Sequence, residues 1–282
     1  MPIYEQKYES WDGVLKPQPR SWWIIAKTQI ELLWKKGMIM LILVASIAFL
    51  VRSIQIYGIA RFSDKLRAID LLKGFKVDPA FFYDFINNQW FFFVVIVMLA
   101  GAALIVSDRR HRAFSIYFAK PVGFWDYTLG KLVVVAFYSS LITLVPGVLL
   151  FLLQVAVATD TAFLSRYFWI VLSETAYTAM MFLVLGSLIL ALSSLARSSG
   201  AAAILFFSLI YFPEVAVKIL ARVPNIGIIS VQADLRQVGA VLFGLARPYS
   251  FSPLLAGGFL ILCLLFCWLI LFLKIRPTEV VK

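Results

Sequence analysis

Long apolar blocks separated by short charged segments dominate the chain. Six of them reach the roughly 20 residues that a helix needs to cross a hydrocarbon core of about 30 Å. They run over 37–57, 89–107, 131–158, 167–195, 199–221 and 253–274. The blocks are too long, and too lacking in period-two alternation, to be barrel strands. Backbone in lipid must bond to itself, so each block predicts a helix. The predicted fold is all-α, a polytopic membrane protein with six transmembrane helices.

Shorter patterns lie between the blocks. In 21–36, Trp22, Ala26, Ile30 and Leu33 repeat on one helical face, with Lys27, Glu31 and Lys35 on another. This predicts an amphipathic helix in the membrane interface, with Trp22, Trp23 and Trp34 at headgroup depth. A plain extension of the first span would carry those charges deeper into lipid, which is costly. Pro17 and Pro19 set this helix apart from a polar segment. The chain therefore divides into 1–20, expected in the cytoplasm, the interfacial helix 21–36, and a membrane domain 37–282.

After the first span, Leu66, Ile69 and Leu72 have helical spacing within 63–73. Asp78-Pro79 is a cap followed by proline at the first helical position, so the second membrane helix is predicted to start near Pro79, outside the lipid. Phe81, Phe82 and Phe85 are expected on that projecting stub. Pro146 and Pro213 fall inside the third and fifth spans and should kink them. Glu214 and Lys218 favour helix continuation past Pro213. Between spans five and six, 231–245 predicts a short outer helix that lies flat or re-enters. Gln232, Asp234, Arg236 and Gln237 make it too polar to span.

Composition agrees. The hydrophobic fraction is 62% and the charged fraction 15%, against roughly 45–50% and 25% in soluble domains. The net charge of +11 is not read as a nucleic-acid footprint, because Lys and Arg sit beside the membrane blocks, where they meet headgroups. The start of the chain has no basic-then-apolar leader, so no cleavable signal peptide is expected. Cys263 and Cys267, one turn apart in the last block, are expected to be packing residues. With His111 the single histidine, no haem or metal site is expected. HExxH, GxSxG and the phosphate loop are all missing from the sequence; Gly130-Lys131 is followed by Leu132. The chain is not expected to be an enzyme, and any ATP that drives it must be hydrolysed by another subunit. Arg52 and Glu174 are the ionisable groups set most clearly within apolar blocks. Each fits either a functional role or a polar contact with headgroup or helix.

The loop between spans two and three is the richest stretch. A basic cluster, Arg109, Arg110 and Arg112, marks the membrane exit. Phe114, Tyr117 and Phe118 then recur at helical spacing, and Pro121 stops the helix. The residues alone fit an aromatic knob for a partner's groove, and equally an interfacial loop dipping into lipid.

In chain order the loop carries Asp108-Arg109, Tyr117-Phe118, Lys120-Pro121, Asp126-Tyr127 and Gly130-Lys131. This order, between these two spans, resembles the signature loop of ABC-2 type transporter permeases. The interfacial helix, the six spans and the outer segment 223–252 fit the same family. The resemblance implies a permease subunit of an ABC transporter in the cell membrane (inner or plasma), with both termini cytoplasmic. It implies a second permease, identical or related, and separate cytoplasmic ATPase subunits that bring ATP and Mg. No cofactor is expected in this chain.

The 2–3 loop would be the main coupling helix, with Arg109, Arg110, Phe114, Tyr117, Phe118, Lys120, Pro121 and Tyr127 meeting the ATPase. The 193–200 turn, with Arg197, would be the second coupling site. Span five near Gly200, together with Glu174, is the candidate substrate pathway, and export is the favoured direction. The long segment 58–88 leaves room for an external accessory subunit. The alternative reading is a non-transporting membrane anchor or assembly subunit.

Overall fold

The computed structural model describes residues 21–34, 38–66, 77–111, 113, 122–158, 162–220, 223 and 225–275. The expectations for 1–20 and for most of the 63–73 helix lie outside them. Among the described residues all regular structure is helical. Five helical stretches are long and apolar enough to cross a membrane, and one bent pair can count as a sixth.

Helix α1 (Ser21–Leu33) precedes the first span, which is α2 (Ile39–Ala45) and α3 (Ile47–Leu66). This span is mostly exposed apolar surface, as at Met40, Leu43 and Ile54. In lipid such a face costs nothing. Helix α4 (Pro79–Asn88) begins where Asp78 predicted: its carboxylate accepts from Phe81 N at 3.1 Å, and Pro79 occupies the first turn. Phe81, Phe82 and Phe85 are not displayed on a stub. They are buried in the core together with Ile86, because α4 lies against other helices.

Helices α5 (Trp90–Gly101) and α6 (Leu104–Arg110) form the second membrane stretch. The third is α7 (Phe124–Ser140) and α8 (Leu144–Val157), bent by 40°. Pro146 explains the bend. Its ring excludes the carbonyl four residues back, Ile142, and the helix breaks over 141–143. Pro213 acts differently: α10 (Ser199–Ile219) continues through it.

The organising element is α9 (Ala162–Leu195), 34 residues and about 50 Å long. It packs against α4 to α8 and against α10, α11 (Val231–Leu242) and α12 (Pro253–Lys274). Glycines permit the close approaches. A Cβ on Gly101 would stand 2.5 Å from Ile189 Cγ2, one on Gly186 2.9 Å from Leu132 Cδ1, and one on Gly239 2.6 Å from the Tyr177 ring. At Gly186 the close approach is thus a contact between α9 and α7 within the chain.

The polar helix α11 is built into the bundle, not laid over it. Gln232, Asp234 and Gln237 point inward. Gln237 donates to the carbonyls of Tyr249 and Phe251 and accepts from Tyr249 N, which closes the following loop. The helix ends at 242 and not 245, because Gly244 takes φ 64° and lets Leu245 N bond back to Ala240 O at 2.8 Å.

Helix α1 docks on α7. Ile25 and Ala26 are buried, the Tyr138 hydroxyl donates to Ile30 O at 2.7 Å, and Trp34 stacks on Tyr138. A Cβ on Gly130 would lie 2.8 Å from Trp22 O and 3.1 Å from Ile25 Cβ. We predict that Gly130→Leu dislodges α1 and speeds tryptic cleavage after Lys27 by about tenfold. Gly257→Leu, whose side chain meets open space, serves as control and should cleave at the unmutated rate. Equal rates for both variants would refute the docking.

Candidate functional site

The signature residues meet where α6 ends and α7 begins. Asp126 reaches back to Gly123 N at 3.4 Å and starts α7. One turn of α7 then carries Tyr127 and Lys131 on the same side. The Lys131 ammonium lies 2.6 Å from Asp108 Oδ2 on α6, and the Tyr127 hydroxyl donates to the same oxygen at 2.8 Å. Lys131 and Tyr127 are fully buried, Asp108 nearly so. The ammonium also stands 5.3 Å from the centroid of the Tyr127 ring. Two opposite charges in a dry environment cost desolvation, and the pair holds because each offsets the other. Gly130, beside Lys131, is the seat of α1. The Asp-Tyr-x-x-Gly-Lys run thus caps a helix, binds Asp108, receives α1 and closes an ion pair.

Arg109, the next residue, turns the other way. Its Nη1 donates to Ser194 O at 2.7 Å and its Nη2 to Ala196 O. Those carbonyls belong to the last turn of α9 and the turn after it, where no intrahelical partner remains. A cation at a helix C-terminus is also favoured by the helix dipole. Ser193 stitches the same two elements. Its hydroxyl donates to Ala102 O at 2.9 Å and accepts from Ile105 N and Val106 N, both at 3.2 Å. It fills the break between α5 and α6.

Arg110 and Arg197 are exposed beside this cluster. Tyr127 is enclosed, so it can influence a partner only through the loop it anchors. Phe114, Tyr117, Phe118, Lys120 and Pro121 lie outside the described residues. Trp23 and Trp34 are exposed and Trp22 half-buried, beside the exposed Lys27 and Glu31. Gly200 faces open space.

Glu174 is fully buried about 30 Å along α9 from its Leu195 end, in a niche that exists because residue 147 is glycine. Arg52 bonds Gln55 at 3.1 Å and covers the Phe81 ring at 4.6 Å. Burial raises the carboxyl of nearby Asp84, and Arg52 partly offsets this. Among the described residues no group of three or more His, Cys, Asp or Glu could hold a metal. Neither the ion pair nor the role of Ser193 was anticipated. The only sequence cue was opposite charges at facing ends of consecutive spans.

A family model described as ABC-2 family transporter protein matches residues 22–237, well over half of the chain. The chain belongs to the ABC-2 transporter family. The match begins at α1 and includes the Asp108–Lys131 pair and both ends of the loop. No curated protein matches the chain. Membership makes it a multi-pass membrane protein of the ABC permease class. Such permeases are typically non-catalytic transmembrane subunits that work with ABC ATPases.

In this ABC-2 protein, Lys131→Met should leave Asp108 buried beside Tyr127 alone and cost about 3–5 kcal/mol. Asp108→Asn combined with Lys131→Met should recover most of that loss. Tyr127→Phe removes one charge-assisted bond and should cost about 1.5–3 kcal/mol. Unfolding midpoints of the purified chain in detergent rank the variants. A double variant no more stable than Lys131→Met would refute the pairing.

Proposed function

We propose that the chain is the six-span permease subunit of an ABC exporter in the cell membrane, with both termini cytoplasmic. Separate ATPase subunits bring ATP and Mg, and a second permease, identical or related, completes the pathway. The observation that carries this reading is that the two ends of the signature loop are pinned at Asp108, Tyr127 and Lys131. A loop whose ends are fixed in a packed bundle transmits force better than one hung on mobile helix ends.

In this reading Phe114, Tyr117 and Phe118 seat in a groove of the ATPase, with Lys120 and Pro121 ending the seated helix. Arg110 and Arg197 are cations for the ATPase surface, exposed at neighbouring points. Trp22, Trp23 and Trp34 hold α1 at the headgroups. Substrate passes near span five, where Gly200 keeps the surface open, and Glu174 is the polar group of the pathway. An external accessory subunit would cover the long segment 58–88.

The test is copurification. Co-expressed with its ATPase, the chain carrying Phe114→Ala, Tyr117→Ala and Phe118→Ala should insert normally and lose the ATPase from the purified complex. ATPase retained at the unmutated level would overturn the docking role. An unmutated chain that never retains an ATPase would favour the anchor reading.

A further inference from the structure

We infer that Arg109 is a positioning residue that locks the loop between spans two and three to the turn between spans four and five, so that the two move as one block. The inference rests on the permease reading for its use, but the lock itself is a property of this chain. Helix α6 has only seven residues and is separated from α5 by a break at Ala102–Ala103. What holds it lies elsewhere. Ser193 of α9 supplies the bonds that the break leaves open. Arg109 binds the carbonyls of Ser194 and Ala196. Asp108 binds α7 through Lys131 and Tyr127. Helix α6 is thus tied sideways to α7 and to the end of α9, while its connection to α5 runs through a break that Ser193 bridges. A push on either loop is shared by both, and the break in span two is where the motion is taken up.

The chemistry requires arginine. Its planar fork presents several N–H groups in fixed directions and serves two carbonyls on different residues at once. A lysine ammonium is a single point donor and can hold only part of this arrangement. Arg109 is exposed, as are Arg110 and Arg197, and its guanidinium is engaged within the chain by two carbonyls.

The test uses the full-length chain in phosphatidylethanolamine–phosphatidylglycerol nanodiscs, with Cys263→Ala and Cys267→Ala. Spin labels are placed at His111→Cys and Ser199→Cys, both exposed and flanking the lock. A control pair sits at Leu164→Cys and Leu254→Cys, also exposed and away from it. Pulsed EPR should give one narrow distance for the first pair in the unmutated background. Arg109→Gln should broaden that distance, because removing a charge-assisted double bond lowers the closed-to-open ratio by about ten- to a hundredfold. Arg109→Lys should fall between, and the control pair should stay narrow in all three.

An unchanged first pair in Arg109→Gln would overturn the inference. Broadening of both pairs would overturn it as well, since Arg109 would then merely hold the bundle together. With the ATPase bound and ATP trapped by vanadate, the first pair should keep its distance, and separation of the loops would count against the lock. Failure of the unmutated chain to retain an ATPase would remove the permease reading and leave the label comparison decisive for the lock.

Discussion

The ion pair between Asp108 and Lys131 is the constraint on which the loop end of the bundle depends. Neither charge is tolerable alone where it sits, because removing either leaves the other desolvated. Two membrane stretches are thereby fixed in register at one point: α6 cannot slide along α7 without parting the charges. The Tyr127 hydroxyl shares the Asp108 oxygen and removes the freedom that a lone ion pair retains. The seat of α1 at Gly130 lies one residue from Lys131, so the docking of the amphipathic helix follows from the same register.

The remainder of the bundle shows how helices associate in lipid, where apolar contact alone gives little driving force. Two devices recur. Glycines at 101, 186 and 239 allow approach closer than any side chain permits. Single hydroxyls and amides serve as stitches: Ser173 to Leu242 O, Gln89 to Ala45 O, Ser193 to the break in span two, and the Trp268 indole to Ser187. Several of them join α9 to a neighbour. This helix serves as the common reference against which the others are placed.

These devices also explain what was legible in the amino-acid pattern. Helix α12 was readable to the residue, because Ser252 caps it, Pro253 opens it and Lys274 marks its end. The start of α4 was readable from Asp78-Pro79 for the same reason. The breaks at Ser46, Gln89 and Ala102 were not, since no proline or capping pair announces them. Their stabilising bonds come from residues distant in sequence: Gln89 donates to Ala45 O across 44 positions, and Ser193 bonds Ala102 across 91. The phenylalanines of α4 were misplaced on a solvent-side stub because a helix start marks a boundary in sequence and says nothing about what packs there. The loop motif was legible as an ordered set of dipeptides. That Tyr127 and Lys131 converge on the Asp108 carboxylate while Gly130 forms a helix seat was not.

The two loops proposed to meet the ATPase, one after span two and one after span four, are separated by more than sixty residues. Treated as independent handles, they would each need their own rigid support. Consecutive side chains remove that need. Asp108 and Arg109 leave α6 in different directions, one toward α7 and one toward the end of α9, and a single turn of helix spans both junctions. The charge sequence Asp-Arg at a membrane exit is weak evidence when read as a dipeptide. Placed at the end of a short helix that follows a break in its span, it becomes the means by which three membrane stretches share one base.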